Sequence, residues 1–511
     1  MRKLPRSRLS RIWNRATKHL DLFSKQEKTM QGVPRPTLAL RWLRANEAPG
    51  GGIRVHSDHP NAYPEVSGYL VPTLLQFGER EMATRLVSWL ISIQLPCGAY
   101  ADPDYGEPFV FDTGQVLRGV LAGIDLAPES LDAAKRAADY LCGQMIDGGR
   151  SGFAVRYAGT IPESVHLYVL PPLVHAGRVL QEPKYLIAAE RCLEYYIARK
   201  DTLQTDDLTH FLGYELEALI DLGRVGAAAS ALEALREVQR ADGSVRGRGG
   251  TSWVCCPGLA QLAVCWYKVG QLEPADMALA WLEKHQTPGG GFLGSHGPGA
   301  NYFPQVELSW AVKYYLDAHR LRVLSFMERN AHVFLREVSI SDGRAQAILE
   351  VIHPGDKVME VGCGKGRFLR AIRQVYPDSQ CTGVDISTVL LAEVPAGIKR
   401  IQGSLESIPG PDNTFDVVFS VEAIEHSVDL ERATAEMIRV TRPGGWVVVI
   451  DKQKAHWGRL VCPPWESWPD AEQLKQLLMQ RCDDVTYGPV SYDDHPADGL
   501  MLVWRGRKRA V

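Results

Sequence analysis

Two rhythms divide the chain. From about Tyr63 to about Val338, apolar residues recur at helical spacing in segments that begin near Pro64, Thr113, Ser164, Thr209, Pro257 and Gln305, some 45 to 51 residues apart. Each opens with one helical stretch, such as "EVSGYLVPTLLQFG" or "THFLGYELEALIDLG", and continues into a second, such as "ATRLVSWLISIQ" or "ALEALREVQ". Repeats of this length mark stacked units that cannot bury their apolar faces singly. Several second helices end in a related phrase, "QLPCGAY", "QMIDGGRSGF", "QRADGSV" or "QTPGGGF". The glycines supply a tight reversal, and the Gln is expected to tie one hairpin to its neighbour.

After Val338 the pattern changes. Short β-branched runs ("KVMEV", "QCTGVD", "IKRIQG", "FDVVFS", "GWVVVID", "LMLVWRG") alternate with helices. That alternation predicts a mostly parallel sheet with helices on both faces. "SISDGRAQAILEVI" would be the first helix of this domain, with Ser341 or Asp342 as its N-cap, which puts the boundary near 337–342. Three regions follow: a basic N-terminal arm at 1–48, partly disordered or an interfacial helix; a helical domain of six hairpins at 49–338; and an α/β domain at 339–511.

Composition narrows the function classes. The chain has 511 residues, 45% hydrophobic and 23% charged, with a net charge of −3, and no long basic block that would suit a nucleic acid. No apolar run reaches the roughly 18 residues of a membrane span. The basic start lacks the apolar core of a signal peptide, so the cytoplasm is the expected compartment. Arg2, Lys3, Arg6, Arg8, Arg11, Arg15 and Lys18 interleave with Leu4, Leu9, Ile12, Trp13, Leu20 and Phe23. This composition suits a solvated tail or, alternatively, peripheral contact of residues 1–23 with the inner face of an anionic membrane. The ten cysteines show no zinc or redox spacing, and no structural metal is expected.

The sharpest motif is "VMEVGCGKGRFL". Gly362, Gly364 and Gly366 follow a strand and open a helix, a turn that lets a ligand approach the backbone. Their spacing is G-x-G-x-G, with Arg367 where a dinucleotide fingerprint has its last glycine, and the chain has no G-x-x-x-x-G-K-[ST]. Asp385 closes the next apolar run, 19 residues after Gly366.

With Glu360 before the glycines, Asp385, "RIQGSLESIP", "FDVVFSVEAIEH" and "VTRPGGWVVVID", residues 340–511 resemble the class I S-adenosylmethionine-dependent methyltransferases. The resemblance implies a Rossmann-like fold with a mostly parallel seven-stranded sheet, and S-adenosyl-L-methionine as cofactor. It places the amino-acid end of the cofactor on Glu360, Gly362, Gly364 and Gly366, its ribose on Asp385, and its adenine beside Ser404 and Leu405. Many relatives have Asp at the position of Ser404, so Glu406 or another group would have to support the adenine.

A hydroxyl acceptor would need a base beyond the fourth and fifth strands. His426 is the first candidate, His456 and Asp451 the next, with Lys452 and Lys454 as anchors for an anionic acceptor. Trp457, Trp465 and Trp468 either line an acceptor pocket or close a core.

The helical half resembles the α/α toroids of terpene cyclases, protein prenyltransferases and polysaccharide lyases and hydrolases, which implies an (α/α)6 toroid. Polar residues gather where its helices begin. His56, Glu65, Asp112, His166 and His210 are the substrate-binding candidates, with Asp102, Glu163 and Glu307 among their neighbours. Helix capping by Asp112 or Glu163 competes with that reading. "DPDYGE" has the first two acids of the D-x-D-D of class II terpene cyclases and then Tyr105, so a cyclisation is unsupported.

The combined expectation is a methyltransferase acting on a bulky acceptor, a glycan, lipid-linked glycan or natural product, that the toroid positions. A bifunctional enzyme with a lyase, hydrolase or isoprenoid-acting toroid, and a non-catalytic scaffold, are the alternatives.

Overall fold

The computed structural model describes residues 33–104, 106–145, 161–199 and 202–510. It divides into two compact units, one of residues 35–75 and 79–325, the other of residues 326–511 with 76–78. The arm at 1–32, on which the membrane expectation falls, lies outside the described residues.

The first unit is helical. Five helix pairs follow one another: α2 (Pro64–Gln76) with α3 (Arg80–Ser92), α4 (Val110–Ala122) with α5 (Ser130–Gly143), α6 (Leu170–Val179) with α7 (Pro183–Ile197), α8 (Thr209–Asp221) with α9 (Val225–Glu237), and α10 (Cys256–Lys268) with α11 (Leu272–His285). A 3-10 segment, Glu163–Val169, leads into α6. The two helices of a pair differ in burial. α4, α8 and α10 are buried on nearly every side, whereas α3 and α9 bury a single stripe such as Met82, Ala83, Leu86, Val87 and Leu90. A helix apolar all round belongs inside and one with a stripe faces water.

Small residues let the buried helices approach. A Cβ on Gly68 of α2 would stand 2.6 Å from the Gln115 carbonyl oxygen of α4, and one on Gly258 of α10 would stand 2.3 Å from Thr209 Oγ1 of α8. The sixth segment contributes one long helix, α12 (Ser309–Arg329), and Asp317 on it accepts a 2.7 Å hydrogen bond from Thr73 of α2.

The expected Gln ties are present. Gln94 donates to the carbonyls of Gly98 and Ala133, both at 2.9 Å, and so reaches from the end of α3 to α5. Gln239 does the same toward Gly243 and Pro274, reaching α11. Gln286 donates to Gly290 at 2.9 Å and to the carbonyl of Arg35 at 3.0 Å. Arg35 begins α1 (Arg35–Ala45), so residues counted with the basic arm in the sequence form a helix that stands to α11 as α11 stands to α9. Ala39, Leu40, Trp42 and Leu43 are buried, which is why this stretch is a helix of the unit rather than a tail. Periodicity in a single 11-residue segment beside a charged run gave no sign of that role.

The second unit is α/β. Its strands are β1 (Lys357–Val361), β2 (Gln380–Asp385), β3 (Lys399–Gln402), β4 (Phe415–Val421), β5 (Thr441–Lys452), β6 (Cys482–Pro489) and β7 (Met501–Lys508). They form one seven-stranded sheet in the order β6-β7-β5-β4-β1-β2-β3. Pairs among β1 to β5 are parallel, and β7 is antiparallel to both neighbours. β6 is an edge strand with a polar run, Asp483 and Asp484, which hid it from a search for apolar alternation.

Short helices cover the faces: α13 (Gly343–Leu349), α14 (Arg367–Val375), α15 (Thr388–Ala392), α16 (Leu430–Val440) and α17 (Ala471–Met479). Asp342 caps α13 by accepting from the N–H of Arg344, deciding between the two candidate caps. The strands β1, β2, β4 and β5 are buried almost throughout and feed a core on each side of the sheet. Their C-terminal ends carry the site.

Candidate functional site

β1 ends at Val361, and the chain then turns through three glycines with left-handed backbone, φ 75° at Gly362, 52° at Gly364 and 72° at Gly366. Only glycine takes such angles three times in succession without strain. The turn is pinned to β2. The N–H groups of Gly362 and Cys363 both donate to the carbonyl of Val384, at 2.8 and 3.0 Å, and that of Gly364 donates to Asp385 Oδ2 at 2.8 Å. Asp385 Oδ1 accepts from the N–H of Ser387 at 2.9 Å. Burial raises the pKa of this carboxyl, and the Ser387 and Gly364 N–H groups oppose the rise.

Glu360 is 2% exposed, and its Oε2 has no hydrogen-bond partner. Burial pushes its pKa well up, with the Arg367 guanidinium opposing. A Cβ placed on Gly364 would meet nothing nearer than Phe334 at 4.0 Å, so space opens above the loop. A buried acid with one unbonded oxygen beside an open, glycine-lined turn fits the amino-acid end of a cofactor, whose ammonium would give that Oε2 a partner. Ser404 lies in a small turn in which its N–H and carbonyl pair with those of Ser407, both at 3.3 Å, and Leu405 packs on the core. Glu406, expected to support the adenine, accepts from the N–H of Val428 at 2.7 Å through Oε1.

Beyond β4 and β5 the side chains are heavily charged and buried. Glu422 has a left-handed φ of 51°, and its Oε2 accepts from Arg344 at 2.8 Å and Arg367 at 2.5 Å. Burial alone would raise its pKa, but the two arginines hold it down to about 2. Arg344 is 0% exposed and also binds Asp342 at 2.9 Å and Asp493 at 2.7 Å. Sequence reasoning missed this network because its members lie up to 151 positions apart and form no motif.

His426 stands after a short turn in which Glu425, buried, takes a hydrogen bond from Lys452 at 2.6 Å. Burial lowers the His426 pKa to about 4, and its Nδ1 has no partner. Asp451 is 0% exposed and accepts from the N–H groups of Lys452 at 2.7 Å and Glu425 at 3.3 Å. Burial, then Glu425, raises its pKa. His426 and Asp451 therefore meet at Glu425.

His456 is apart from them, its Nδ1 bonded to Arg459 at 3.1 Å. Lys452 is 4% exposed and committed to Glu425, which leaves it unavailable as an anion anchor, whereas Lys454 is exposed. Glu466, pushed up to about 8 by burial and Glu425, joins Glu425 and His426 in a group whose ligand atoms lie within 4.8 Å of one another. The Lys452 ammonium already supplies a positive charge to that group. Trp468, 1% exposed, donates to Glu466 at 3.0 Å and meets Trp457 edge-on at 4.9 Å, so these two close a core.

In the helical unit the candidates separate. His166 is buried with Nδ1 on the Glu163 carbonyl at 2.8 Å. His56 is half-buried, bonded to the N–H of Asp58 at 3.2 Å, and its pKa is lowered by burial and by His59. Glu307 receives hydrogen bonds from Trp42 and Thr287. Asp112 and Glu163 lie in the first turns of their helices, whose N-cap positions are Phe109 and Pro162.

His210 lies 4.5 Å from Tyr214 between ring centroids, bonds Gln261 at 3.2 Å, and is brought down to about 3 by burial. It belongs to an aromatic belt. Tyr214 meets Phe111 at 5.0 Å, Tyr168 at 4.7 Å and Tyr314 at 6.2 Å, and Tyr314 meets Tyr69 at 6.2 Å. Glu65, whose pKa is raised by burial and by Asp112 and Asp102, stands with this belt.

A family model described as a methyltransferase domain matches residues 359–449, which run from β1 into β5. The second unit carries a methyltransferase domain. Its cofactor is S-adenosylmethionine, and the glycine turn lies within the matched residues.

The chain is 34% identical over 159 residues to the malonyl-[acyl-carrier protein] O-methyltransferase of Pectobacterium atrosepticum, covering 30% of this chain and 62% of that protein. It is 37% identical over 105 residues to a sterol 24-C-methyltransferase of Gibberella zeae, covering 18% and 27%. It is 30% identical over 153 residues to a phthiotriol/phenolphthiotriol dimycocerosates methyltransferase of Mycobacterium ulcerans, covering 29% and 55%. The chain thus spans less than two thirds of the length of these relatives. Among solved structures, a methyltransferase of Thermotoga maritima is 22% identical, covering 33% of this chain and 88% of that one, with a TM-score of 0.28.

Proposed function

We propose that the protein transfers the methyl group of S-adenosylmethionine to a bulky acceptor that its helical unit holds. The observation that carries this reading is the cradle of Gly362, Gly364 and Gly366, pinned by Asp385 and open beside the unbonded Oε2 of the buried Glu360. The cofactor's sulfonium supplies an electrophilic methyl group, so the chain's own task is to orient the acceptor and take up a proton. In this reading Glu360 and Asp385 hold the cofactor's ammonium and ribose, Ser404 and Leu405 flank its adenine, and His426, uncharged at neutral pH with a free Nδ1, accepts the proton. Asp451, which takes the backbone N–H of Glu425 and shares a side-chain hydrogen bond with it, acts through the Glu425 turn in this reading.

We read the helical unit as an (α/α)6 toroid. In support, the Gln286 tie gives α1 the place of a sixth outer helix, and the Thr73–Asp317 bond joins the last buried helix to the first. The acceptor is then a glycan, a lipid-linked glycan or a natural product. Relatives named for acyl-carrier, sterol and dimycocerosate substrates favour the lipid and natural-product side. No described helix is long and apolar enough to cross a membrane, and contact with a bilayer would fall to the basic residues before position 23.

The test is calorimetric titration of the full chain with S-adenosylmethionine, beside Asp385→Ala. Micromolar binding that weakens at least a hundredfold in the variant is expected. An intact protein that does not bind would end the proposal.

A further inference from the structure

Two non-glycine residues of the α/β unit with left-handed backbone lie on one guanidinium. Glu422, at the end of β4, has φ 51°, and Asp493, between β6 and β7, has φ 49°. Their carboxylates bond Arg344 at 2.8 and 2.7 Å. Strain of this kind persists only where surrounding contacts hold it, and it gathers at ligand clamps and active sites.

The bend at Glu422 brings β4 against the glycine turn. A Cβ built on Gly362 would stand 2.3 Å from the Ala423 Cβ, so contact as well as backbone angle requires glycine there. The Glu422 side chain then reaches the far end of the turn. Its Oε2 accepts from Arg367, the residue after Gly366, at 2.5 Å. A bond between guanidinium and carboxylate is among the strong ones, and this one is short.

The turn is therefore held from two strands. On the β2 side, the Val384 carbonyl and Asp385 take the N–H groups of Gly362, Cys363 and Gly364. On the β4 side, Glu422 takes Arg367. Arg344 holds Glu422 separately through Nη1, and it also binds Asp342 and Asp493. Loss of Arg367 thus leaves the bend at Glu422 supported and its carboxylate paired, and frees only the turn.

We propose that Arg367 is a positioning residue whose bond to Glu422 holds the glycine turn against β4 and so shapes the site for the amino-acid end of the cofactor. The proposal rests on the reading that this turn holds S-adenosylmethionine. The two ties then serve different parts of one ligand. Asp385 stands with the ribose, whereas the Arg367 tie fixes the glycines that meet the amino-acid end. Preorganisation of that end contributes to affinity for the whole cofactor and not for a fragment that lacks it.

The full chain and Arg367→Met would be titrated calorimetrically with S-adenosylmethionine and with methylthioadenosine, which keeps the adenosine and the sulfur without the amino-acid end. Arg367→Met should weaken S-adenosylmethionine at least tenfold and methylthioadenosine less than twofold. Arg367→Lys, which can still donate to Glu422, should recover most of the loss. In a Glu422→Gln background Arg367→Met should add less than threefold, because the tie is already weakened there. Equal weakening of both ligands would reduce Arg367 to a support of the fold and overturn the proposal. An undiminished loss in the Glu422→Gln background would also overturn it, since Arg367 would then touch the ligand itself. A parent that binds both ligands beside an Arg367→Met variant that binds them equally well would sink this proposal alone. A parent that binds neither would end the cofactor reading and this inference with it.

Discussion

The two units bury polar groups in opposite ways. In the α/β unit Arg344 is sealed from water among Asp342, Glu422 and Asp493, with every contact a hydrogen bond of 2.7 to 3.0 Å. In the helical unit the buried Tyr69 hydroxyl and Gln115 amide are left without hydrogen-bond partners. A low-dielectric interior magnifies both situations. A completed network fixes one backbone arrangement, here the left-handed Glu422 at the end of β4. An incomplete one stores a demand that a ligand can meet.

Breaking the completed side should cost most. Arg344→Met leaves three carboxylates around an apolar side chain, and the unit should lose about 3–5 kcal/mol in urea unfolding. A loss below about 1 kcal/mol would mean that the network is not what holds β4 and α13 together. Glu422→Gln should cost about 3 kcal/mol at pH 7, since the carboxyl sits near 2 in the fold against an ordinary 4.5. The depressed value means that this stability is complete above about pH 4.5 and drains away as pH falls toward 2. Subtracting the variant's pH profile from the parent's should leave that acid limb and nothing near neutrality.

A smaller effect tests whether α1 belongs to the helical unit as α5 and α11 do. Gln286→Ala and Gln94→Ala each remove an amide that donates to two carbonyls, and each should lower stability by about 1–2 kcal/mol. Unequal losses would separate the α1 junction from the others.

The smallest change should come from the incomplete side. Glu65→Gln removes an acid whose folded pKa is raised, so it should leave stability near neutrality unchanged or slightly higher. A raised pKa means that the parent loses stability as pH climbs above about 4.5, and the variant should lose that decline. A large destabilisation at every pH would recast Glu65 as a structural residue.

Much of this was legible in the residues. The glycine spacing, Glu360 and Asp385 marked the cradle, because a left-handed turn tolerates almost nothing but glycine and a strand end tolerates few acids. Helical periodicity and the recurring Gln-to-Gly phrase marked the hairpins and even their ties. The charged cluster around Glu422 was not legible, since Arg344, Arg367 and Asp493 are joined by no spacing rule. Nor was the commitment of Lys452 to Glu425, which removed an anchor that the sequence had suggested.

By itself, then, the sequence determined the features governed by local geometry: which stretches are helix or strand, where the backbone must turn left-handed, and which domain type follows. Only the tertiary structure decided pairing. It made α1 a helix of the first unit, closed the ring of carboxylates on Arg344, and left the Tyr69 hydroxyl and the Gln115 amide without hydrogen-bond partners. The reason is that hydrogen bonds and charges act over a few ångströms of space, whereas sequence spacing reports only on neighbours along the chain.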